Sequence, residues 1–154
     1  MTARAHVRGN IPLVAEVRII HPDERETEVA SGAMTRIAGV SESLTGATGI
    51  HLATATIPPG CESGAHIHLN CESALYIIKG YGKFMVGEKL DRAIAFGPGD
   101  YLFVPPGAPH KPVNDGAETI EMVVARNAPV EIVEEYRPPA GLTSHQHPGS
   151  ASSS

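Results

Sequence analysis

The sequence predicts an all-β protein, built as a sandwich or barrel of short antiparallel strands. The chain has 154 residues, the size of one domain, and its 42% hydrophobic content is enough for a buried core. Its 16 glycines and 13 prolines interrupt the chain more often than a helix bundle tolerates. Between these turn-forming residues, apolar and β-branched runs recur roughly every 8–12 residues, the spacing typical of such folds.

Nine segments have the alternation or β-branched composition of strands. In chain order they are 11–20, 34–40, 49–57, 74–79, 83–86, 90–95, 100–104, 119–126 and 130–136. The first alternates charged and apolar residues, the third stops at Pro58-Pro59-Gly60, and the fifth and sixth form a hairpin about Gly87. The large apolar side chains of these strands, including Tyr76, Ile78, Phe84, Tyr101 and Phe103, are expected mostly in the core.

The remaining segments predict where the domain begins and ends. Residues 1–10 are expected to form a flexible arm, and the polar run 21–33 to form turns and one short helix. Residues 137–154 are rich in proline, glycine and serine, which predicts a disordered tail. The β domain is therefore expected to span residues 11–136.

Charge and hydropathy argue against several classes of protein. The net charge is −5 and no basic run interleaved with aromatic residues occurs, so nucleic acid is not an expected partner. The apolar stretches are too short and interrupted for a transmembrane helix, so no membrane association is expected either. The first ten residues lack the pattern of a signal peptide, which favours the cytoplasm. In that reducing compartment, Cys61 and Cys71 are expected to be free thiols.

Three histidines have the spacing of a metal site. His66 and His68 lie two residues apart, so a strand would turn both imidazoles to the same face. Glu72 follows at an even offset, and His110 comes directly after the rigid turn at Pro105-Pro106-Gly107. Three imidazoles and one carboxylate favour Fe²⁺, Mn²⁺, Co²⁺ or Ni²⁺ with open positions for a substrate, and Zn²⁺ accepts the same ligands.

Two motifs in the right order make the chain resemble the cupin superfamily. The first motif is carried by Gly60, His66, His68, Glu72 and Gly80. The second is carried by Gly99, Pro105, Gly107, His110 and Asn114. The resemblance is to small single-domain bacterial cupins. It implies one jelly-roll β-barrel with a metal held by His66, His68, Glu72 and His110, but it does not name a reaction.

The first motif departs from the family pattern at one point. Seven residues, instead of six, separate Glu72 from Gly80, so that counting back from Gly80 puts Ser73 at the carboxylate position. Either a β-bulge near Ser73 absorbs the extra residue, or the site has three histidines with Glu72 nearby. We expect Glu72 to be the fourth ligand.

The resemblance implies a metal-dependent enzyme that acts on a small organic acid, a diketone or an aromatic compound. A dioxygenase-type or decarboxylase reaction with iron, manganese, nickel or zinc is the leading hypothesis. The first alternative is a redox-neutral cyclase or isomerase that uses the metal as a Lewis acid. The second is a small-molecule binding protein without catalysis.

Several further residues are candidates for roles in that reaction. Glu72 or His51 is a candidate general base, although His51 is also a plausible structural histidine. Tyr76 or Tyr101 could present a hydroxyl to the substrate. Arg126 could clamp a substrate carboxylate or pair with an acidic side chain. A homodimer is also expected, with the strand at 11–20 as the segment exchanged between subunits, because exposed strand edges need covering.

Overall fold

The computed structural model describes residues 15–28 and 31–140 of the chain. This part of the chain contains eleven β-strands and one short helix. The strands are β1 (Glu26–Glu28), β2 (Thr35–Val40), β3 (His51–Ile57), β4 (His66–His68), β5 (Ser73–Lys79), β6 (Gly82–Val86), β7 (Arg92–Phe96), β8 (Tyr101–Val104), β9 (His110–Val113), β10 (Ile120–Arg126) and β11 (Val133–Glu135). The helix is α1 (Glu42–Thr45). The all-β prediction is confirmed, because this helix has a single turn.

The strands form two antiparallel sheets. The six-stranded sheet has the order β1-β2-β3-β10-β5-β8, and the five-stranded sheet has the order β11-β4-β9-β6-β7. Several neighbours, such as β3 and β10 or β4 and β9, are distant in sequence, as in a jelly roll, where the chain passes repeatedly from one sheet to the other. The hairpin predicted about Gly87 is present as β6 and β7, with Val86 paired to Arg92.

The hydrophobic core lies between the two sheets. Alternate residues of β3 and β5 are buried, as expected for strands with one face on the core. The core cluster combines side chains from both sheets: Ala55, Ile57, Leu75, Ile77, Phe84, Phe96, Val104, Ile120 and Met122. Burying this much apolar surface is the main stabilising contribution that such a domain has.

Two motif residues have structural roles at the ends of strands. Gly80 has φ of +83°, and a Cβ there would lie 2.8 Å from the carbonyl oxygen of Thr119, so only glycine fits without a shift. The Asn114 side chain is buried and donates hydrogen bonds to the carbonyl oxygens of Ile57 and Glu118 at 2.9 and 2.7 Å. These residues fix the strand ends, which keeps the strands that carry the histidines in register.

The N-terminal part of the fold differs from the sequence prediction. Residues 15–20 of the predicted strand 11–20 form no strand, and residues 11–14 lie outside the described residues. Val17 is 97% exposed, and no strand among the described residues pairs with it. Its side chain therefore does not contribute to the core. The first strand is instead β1, which lies within the run predicted to form turns. Of residues 1–10 and 137–154, only 137–140 are described, and they form no helix or strand.

The short helix also lies outside the segment predicted for it. It begins after Ser41, whose hydroxyl accepts a hydrogen bond from the backbone N–H of Leu44 at 3.1 Å. It ends at Gly46, which has the left-handed conformation of a C-terminal cap. Within the described residues, no helix has both the length and the apolar composition needed to span a bilayer.

The large apolar side chains expected in the core divide between the core and the outer face of the six-stranded sheet. Phe84 lies in the core as expected, but Tyr76, Ile78, Tyr101 and Phe103 are exposed on the outer face. The expectation of core positions was wrong for these four, because strand alternation gives the inward positions of β5 to Leu75 and Ile77.

Candidate metal centre

His66, His68 and His110 meet inside the barrel at one end of the sheets. His66 and His68 are the two inward-facing residues of β4, and His110 is the first residue of β9. The two strands are antiparallel neighbours in which His66 pairs with His110. One nitrogen from each ring lies within 4.8 Å of the other two, and all three side chains are buried. The sequence pattern of alternation and the rigid turn before His110 therefore produce the cluster that they predicted.

The hydrogen bonds of two of these rings leave one nitrogen of each free for a ligand. His66 Nδ1 donates to the carbonyl oxygen of Gly64 at 2.7 Å, and His110 Nδ1 donates to that of Ala108 at 2.9 Å. Because a carbonyl oxygen only accepts hydrogen bonds, Nδ1 of these two rings carries the hydrogen and Nε2 keeps its lone pair. His68 Nδ1 lies 3.0 Å from the Glu131 carboxylate. Metal-bound histidines in proteins typically have this arrangement.

Burial keeps two of the rings neutral. Burial, together with charge repulsion from the adjacent His66, lowers the pKa of His110 to about 4. Burial also lowers the pKa of His66. Neutral imidazole is the form that binds metals, so these two residues need no deprotonation at neutral pH. The donor set fits a divalent transition metal.

The metal-free protein is expected to lose stability as the pH falls from 7 to 5. The unfolded chain binds a proton at His110 below pH 6.5, whereas the folded chain does so only near pH 4, so protonation favours unfolding in that window. His110 alone corresponds to a loss of about 2 kcal/mol by pH 5, and His66 acts in the same direction. Urea denaturation at both pH values measures the loss.

The variant His110→Gln is the control for this measurement, since its side chain does not titrate. Its free energy of unfolding should change less between pH 7 and pH 5 than that of the wild type. Equal pH dependence in the two proteins would contradict the assignment of the effect to His110.

Glu72, expected as the fourth ligand, lies away from the three histidines. Its side chain is exposed, and its carboxylate accepts a hydrogen bond from Asn127 Nδ2 at 3.3 Å. The next residue, Ser73, is 4% exposed and faces the cavity instead. Neighbouring residues of a strand point to opposite faces, so Ser73 and Glu72 cannot both turn inward. In the structure, Glu72 thus lies outside the cluster of three histidines.

The extra residue before Gly80 does not bring Glu72 inward. The pairing of β5 with β10 is regular from Ser73 to Ile77, and its irregularity falls at Ile78, which is skipped between two pairs. The bulge therefore lies far from Ser73, contrary to the first of the two sequence hypotheses. Counting back from Gly80, the inward position belongs to Ser73.

Glu131 is the residue of this site that the sequence analysis missed. It lies between β10 and β11, and its carboxylate contacts His68 together with the guanidinium groups of Arg36 and Arg126. Burial raises the pKa of Glu131, but the bonds to His68 and Arg126 and the charge of Arg36 outweigh it and hold the pKa well below its usual range. No motif spacing pointed to Glu131. The one sequence feature that could have indicated it is the placement of an acidic residue within an apolar run.

Arg126 and His51 belong to a buried network of charges connected to Glu131. The pairing of Arg126 with an acidic side chain, one of its two predicted roles, is observed. His51 Nε2 lies 2.5 Å from Glu28 Oε1, and Arg36 Nε donates to the other oxygen of Glu28 at 2.5 Å. His51 is therefore not brought among the three histidines, and it connects to them only through Glu28, Arg36 and Glu131.

Tyr76 and Tyr101 do not face the cavity. Both lie on the outer face of the six-stranded sheet, with ring centroids 4.9 Å apart. Tyr76 is 38% exposed and Tyr101 is 81% exposed, so neither can present its hydroxyl to a molecule held at the histidines. Cys61 and Cys71 are free thiols, as the sequence predicted.

The histidine cluster opens into a cavity that is apolar over most of its wall. The space inside it that is accessible to a water-sized molecule is about 40 Å³. Its apolar wall includes Ala55, Leu75, Phe84, Val104, Met122 and Val124. Its polar wall consists of the three histidines with Arg36, Ser73, Arg126 and Glu131. A mostly apolar concavity with a few convergent polar groups is the usual form of a small-molecule site.

Comparison with known proteins agrees with this geometry. Residues 53–126 match the family model of the cupin domain. The polyketide cyclase RemF from Streptomyces resistomycificus has a similar fold, with a TM-score of 0.66 and 20% identity over 78% of this chain and 85% of that one. A predicted oxalate decarboxylase from Thermotoga maritima gives 0.60 and 21% over 72% and 99%.

A third similar structure is the oxalate decarboxylase of Lactobacillus farciminis, with a TM-score of 0.64 and 22% identity. The match covers 75% of this chain but 34% of that protein, so this chain spans about a third of its length. At these identities the likeness establishes the fold and not the reaction. No curated protein matches the sequence.

Proposed function

This chain carries a single cupin domain, and from that premise we propose that it is a metal-dependent enzyme acting on a small organic molecule. The ligands would be His66, His68 and His110. The observation that supports this most is the meeting of three buried imidazoles, each with one nitrogen within 4.8 Å of the other two. His66 and His110 hydrogen-bond through Nδ1 to backbone carbonyl oxygens, which leaves their Nε2 atoms free for a ligand. A structural histidine cluster would gain nothing from leaving these nitrogens without partners.

A divalent ion bound there would act as a Lewis acid on oxygen atoms of the substrate. The chain itself would supply the rest of the site. The apolar wall formed by Leu75, Met122 and Val124 excludes water and packs against a hydrocarbon or aromatic body. The Glu131 carboxylate lies 3.0 Å from His68 Nδ1 and would help to orient that ring. The Arg36 and Arg126 side chains hold Glu131 in turn.

Two reaction types fit this site. A dioxygenase-type or decarboxylase reaction with iron or manganese is the first. A redox-neutral cyclase or isomerase reaction is the second, and the position of Glu72 favours it specifically. Without a carboxylate ligand, three neutral imidazoles leave the full 2+ charge on the ion, which strengthens its action on a substrate oxygen. The RemF cyclase and the oxalate decarboxylases have this fold, which can accommodate both types.

The test is a turnover assay on protein reconstituted with Fe²⁺, Mn²⁺, Ni²⁺ or Zn²⁺. The probes are pentane-2,4-dione, catechol and simple organic acids, followed by oxygen uptake and by proton NMR under nitrogen. We expect turnover with at least one metal and none in the metal-free protein. Oxygen consumption would identify the first reaction type, and anaerobic turnover the second. Saturable binding without turnover would overturn the proposal in favour of a binding protein.

A homodimer is also proposed, although the segment 15–20 forms no strand that could be exchanged. The support is the outer face of the six-stranded sheet, where Tyr76, Ile78, Tyr101 and Phe103 are exposed next to one another on β5 and the edge strand β8. A second copy would remove this apolar surface from water. Light scattering of the purified protein gives the mass in solution.

A further inference from the structure

A row of three buried polar side chains crosses the six-stranded sheet opposite the histidines. Arg126 on β10 pairs with His51 on β3 and with Ser73 on β5. The exposed fractions are 5% for Arg126, 2% for His51 and 4% for Ser73. Inward-facing positions of a jelly roll are normally apolar, so three polar residues in one row call for an explanation.

All three members of this row have hydrogen-bonding atoms without partners. Among the described residues, none hydrogen-bonds to Ser73 Oγ, to Arg126 Nε or to His51 Nδ1. Glu131 contacts the NH1 group of Arg126 and leaves Nε unused. Leaving a buried polar atom without a hydrogen-bond partner destabilises the fold. A site that keeps two such atoms side by side, on Ser73 and Arg126, is suited to a ligand that satisfies both.

Both residues line the cavity that contains the three histidines. The charged side chains at this end are Arg36, Arg126, Glu28 and Glu131, and their formal charges cancel. A divalent ion at the histidines would make this end of the cavity positive. An anion would then be the complementary ligand. Its attraction to the positive end of the cavity would be stronger than in water, because the site is buried.

We propose that Ser73 and Arg126 form a carboxylate subsite, so that the substrate is an organic acid with an apolar body. This inference rests on the proposed function, since it names the substrate class of the same cavity. One carboxylate oxygen accepts from Ser73 Oγ and the other from Arg126 Nε. The hydrocarbon part packs against Leu75, Met122 and Val124, which adjoin the row on the same inner face. A neutral alcohol of equal size lacks the charge that the guanidinium recognises.

The test is a ¹⁹F NMR titration of the zinc-reconstituted protein with 4,4,4-trifluorobutyrate and, separately, with 4,4,4-trifluorobutanol. We expect the acid to bind at least tenfold more tightly than the alcohol. The variant Ser73→Ala should weaken acid binding by about tenfold, the usual effect of one hydrogen bond to a charged group. Alcohol binding should not change.

A second variant keeps the charges balanced while removing the guanidinium. Arg126→Met combined with Glu131→Gln leaves Arg36 paired with Glu28, and it should also weaken acid binding by tenfold or more. The control is Arg137→Met, because the Arg137 side chain is 85% exposed and lies outside the cavity. Thermal unfolding checks that each variant is folded. Equal affinity for the acid in wild type and both variants would overturn the subsite.

Failure of the metal site and failure of the subsite give different results. If the wild-type protein retains none of Fe²⁺, Mn²⁺, Ni²⁺ and Zn²⁺ after reconstitution, the proposed function fails. The titration of the metal-free protein still decides the subsite, because Ser73 and Arg126 do not belong to the three-histidine cluster. If the metal-free protein binds the acid and Ser73→Ala weakens that binding, the subsite is supported. If Ser73→Ala does not change acid binding, the subsite is overturned.

Discussion

Replacing Glu131 with glutamine is expected to lower the free energy of unfolding by about 3 kcal/mol, because it leaves a buried guanidinium without its counter-charge. The Arg126 side chain is 3% exposed and its only ion pair among the described residues is with Glu131. Arg36 is better protected, since it also pairs with Glu28. Glutamine has nearly the shape of glutamate, so the loss reports the charge rather than a cavity. Urea denaturation of the metal-free protein at pH 7 measures it.

Glu134→Gln is the matched control, because Glu134 is exposed on β11, three residues further along the chain. Its free energy of unfolding should stay within about 0.5 kcal/mol of the wild-type value. The double variant Arg126→Met with Glu131→Gln removes both partners and should be more stable than Glu131→Gln alone. Similar losses for Glu131→Gln and Glu134→Gln would contradict the buried network.

The double variant His66→Ala with His68→Ala is expected to lose the metal that the wild-type protein holds. Mass spectrometry of the purified wild type should find about one equivalent of a divalent transition metal. Mutating a residue that only hydrogen-bonds to a metal ligand typically lowers metal affinity about 10- to 100-fold. Removing two of the three ligands themselves should lower it more. Both rings are buried, so their removal affects no surface site of weak binding.

Glu72→Gln is the control that distinguishes the two descriptions of the site. If three histidines hold the metal, this variant keeps its full equivalent, because the Glu72 carboxylate bonds to Asn127 at the surface. Loss of metal in Glu72→Gln would restore the four-ligand site that the sequence predicted. His21→Ala, an exposed histidine, should also keep the metal.

The metal that is found also decides between the two reaction types. Iron or manganese would support oxygen-dependent chemistry, whereas zinc or nickel would support the redox-neutral reaction. If the protein binds no metal even after reconstitution, both reaction types are excluded. The remaining hypothesis would then be a binding protein that takes an apolar acid.

Much of the architecture was predictable from local patterns. Strands such as β3 and β10 were found within a few residues of their observed ends, since alternation and turn residues act over short stretches of chain. The same holds for the three histidines. His66 and His68 share a face because they lie two residues apart, and the turn before His110 sets the start of β9.

The outward position of Glu72 could be stated only as one of two alternatives. Spacing from His68 favoured Glu72, while spacing from Gly80 favoured Ser73, and both patterns are local. The choice depended on where the β5–β10 pairing becomes irregular, and this is set by contacts with another strand. The exposed aromatic residues Tyr76 and Tyr101 were misjudged for a related reason, because hydrophobicity does not tell which face of a sheet the core covers.

The sequence by itself determined an all-β domain and the histidine triad, because strand periodicity and fixed motif spacing are encoded by neighbouring residues. Only the tertiary structure decided that Ser73 faces the cavity in place of Glu72, and that Glu131 meets His68, Arg36 and Arg126. These side chains come from segments far apart in the chain. They meet because two sheets close around one core, and a buried charge must find its partners wherever the fold brings them.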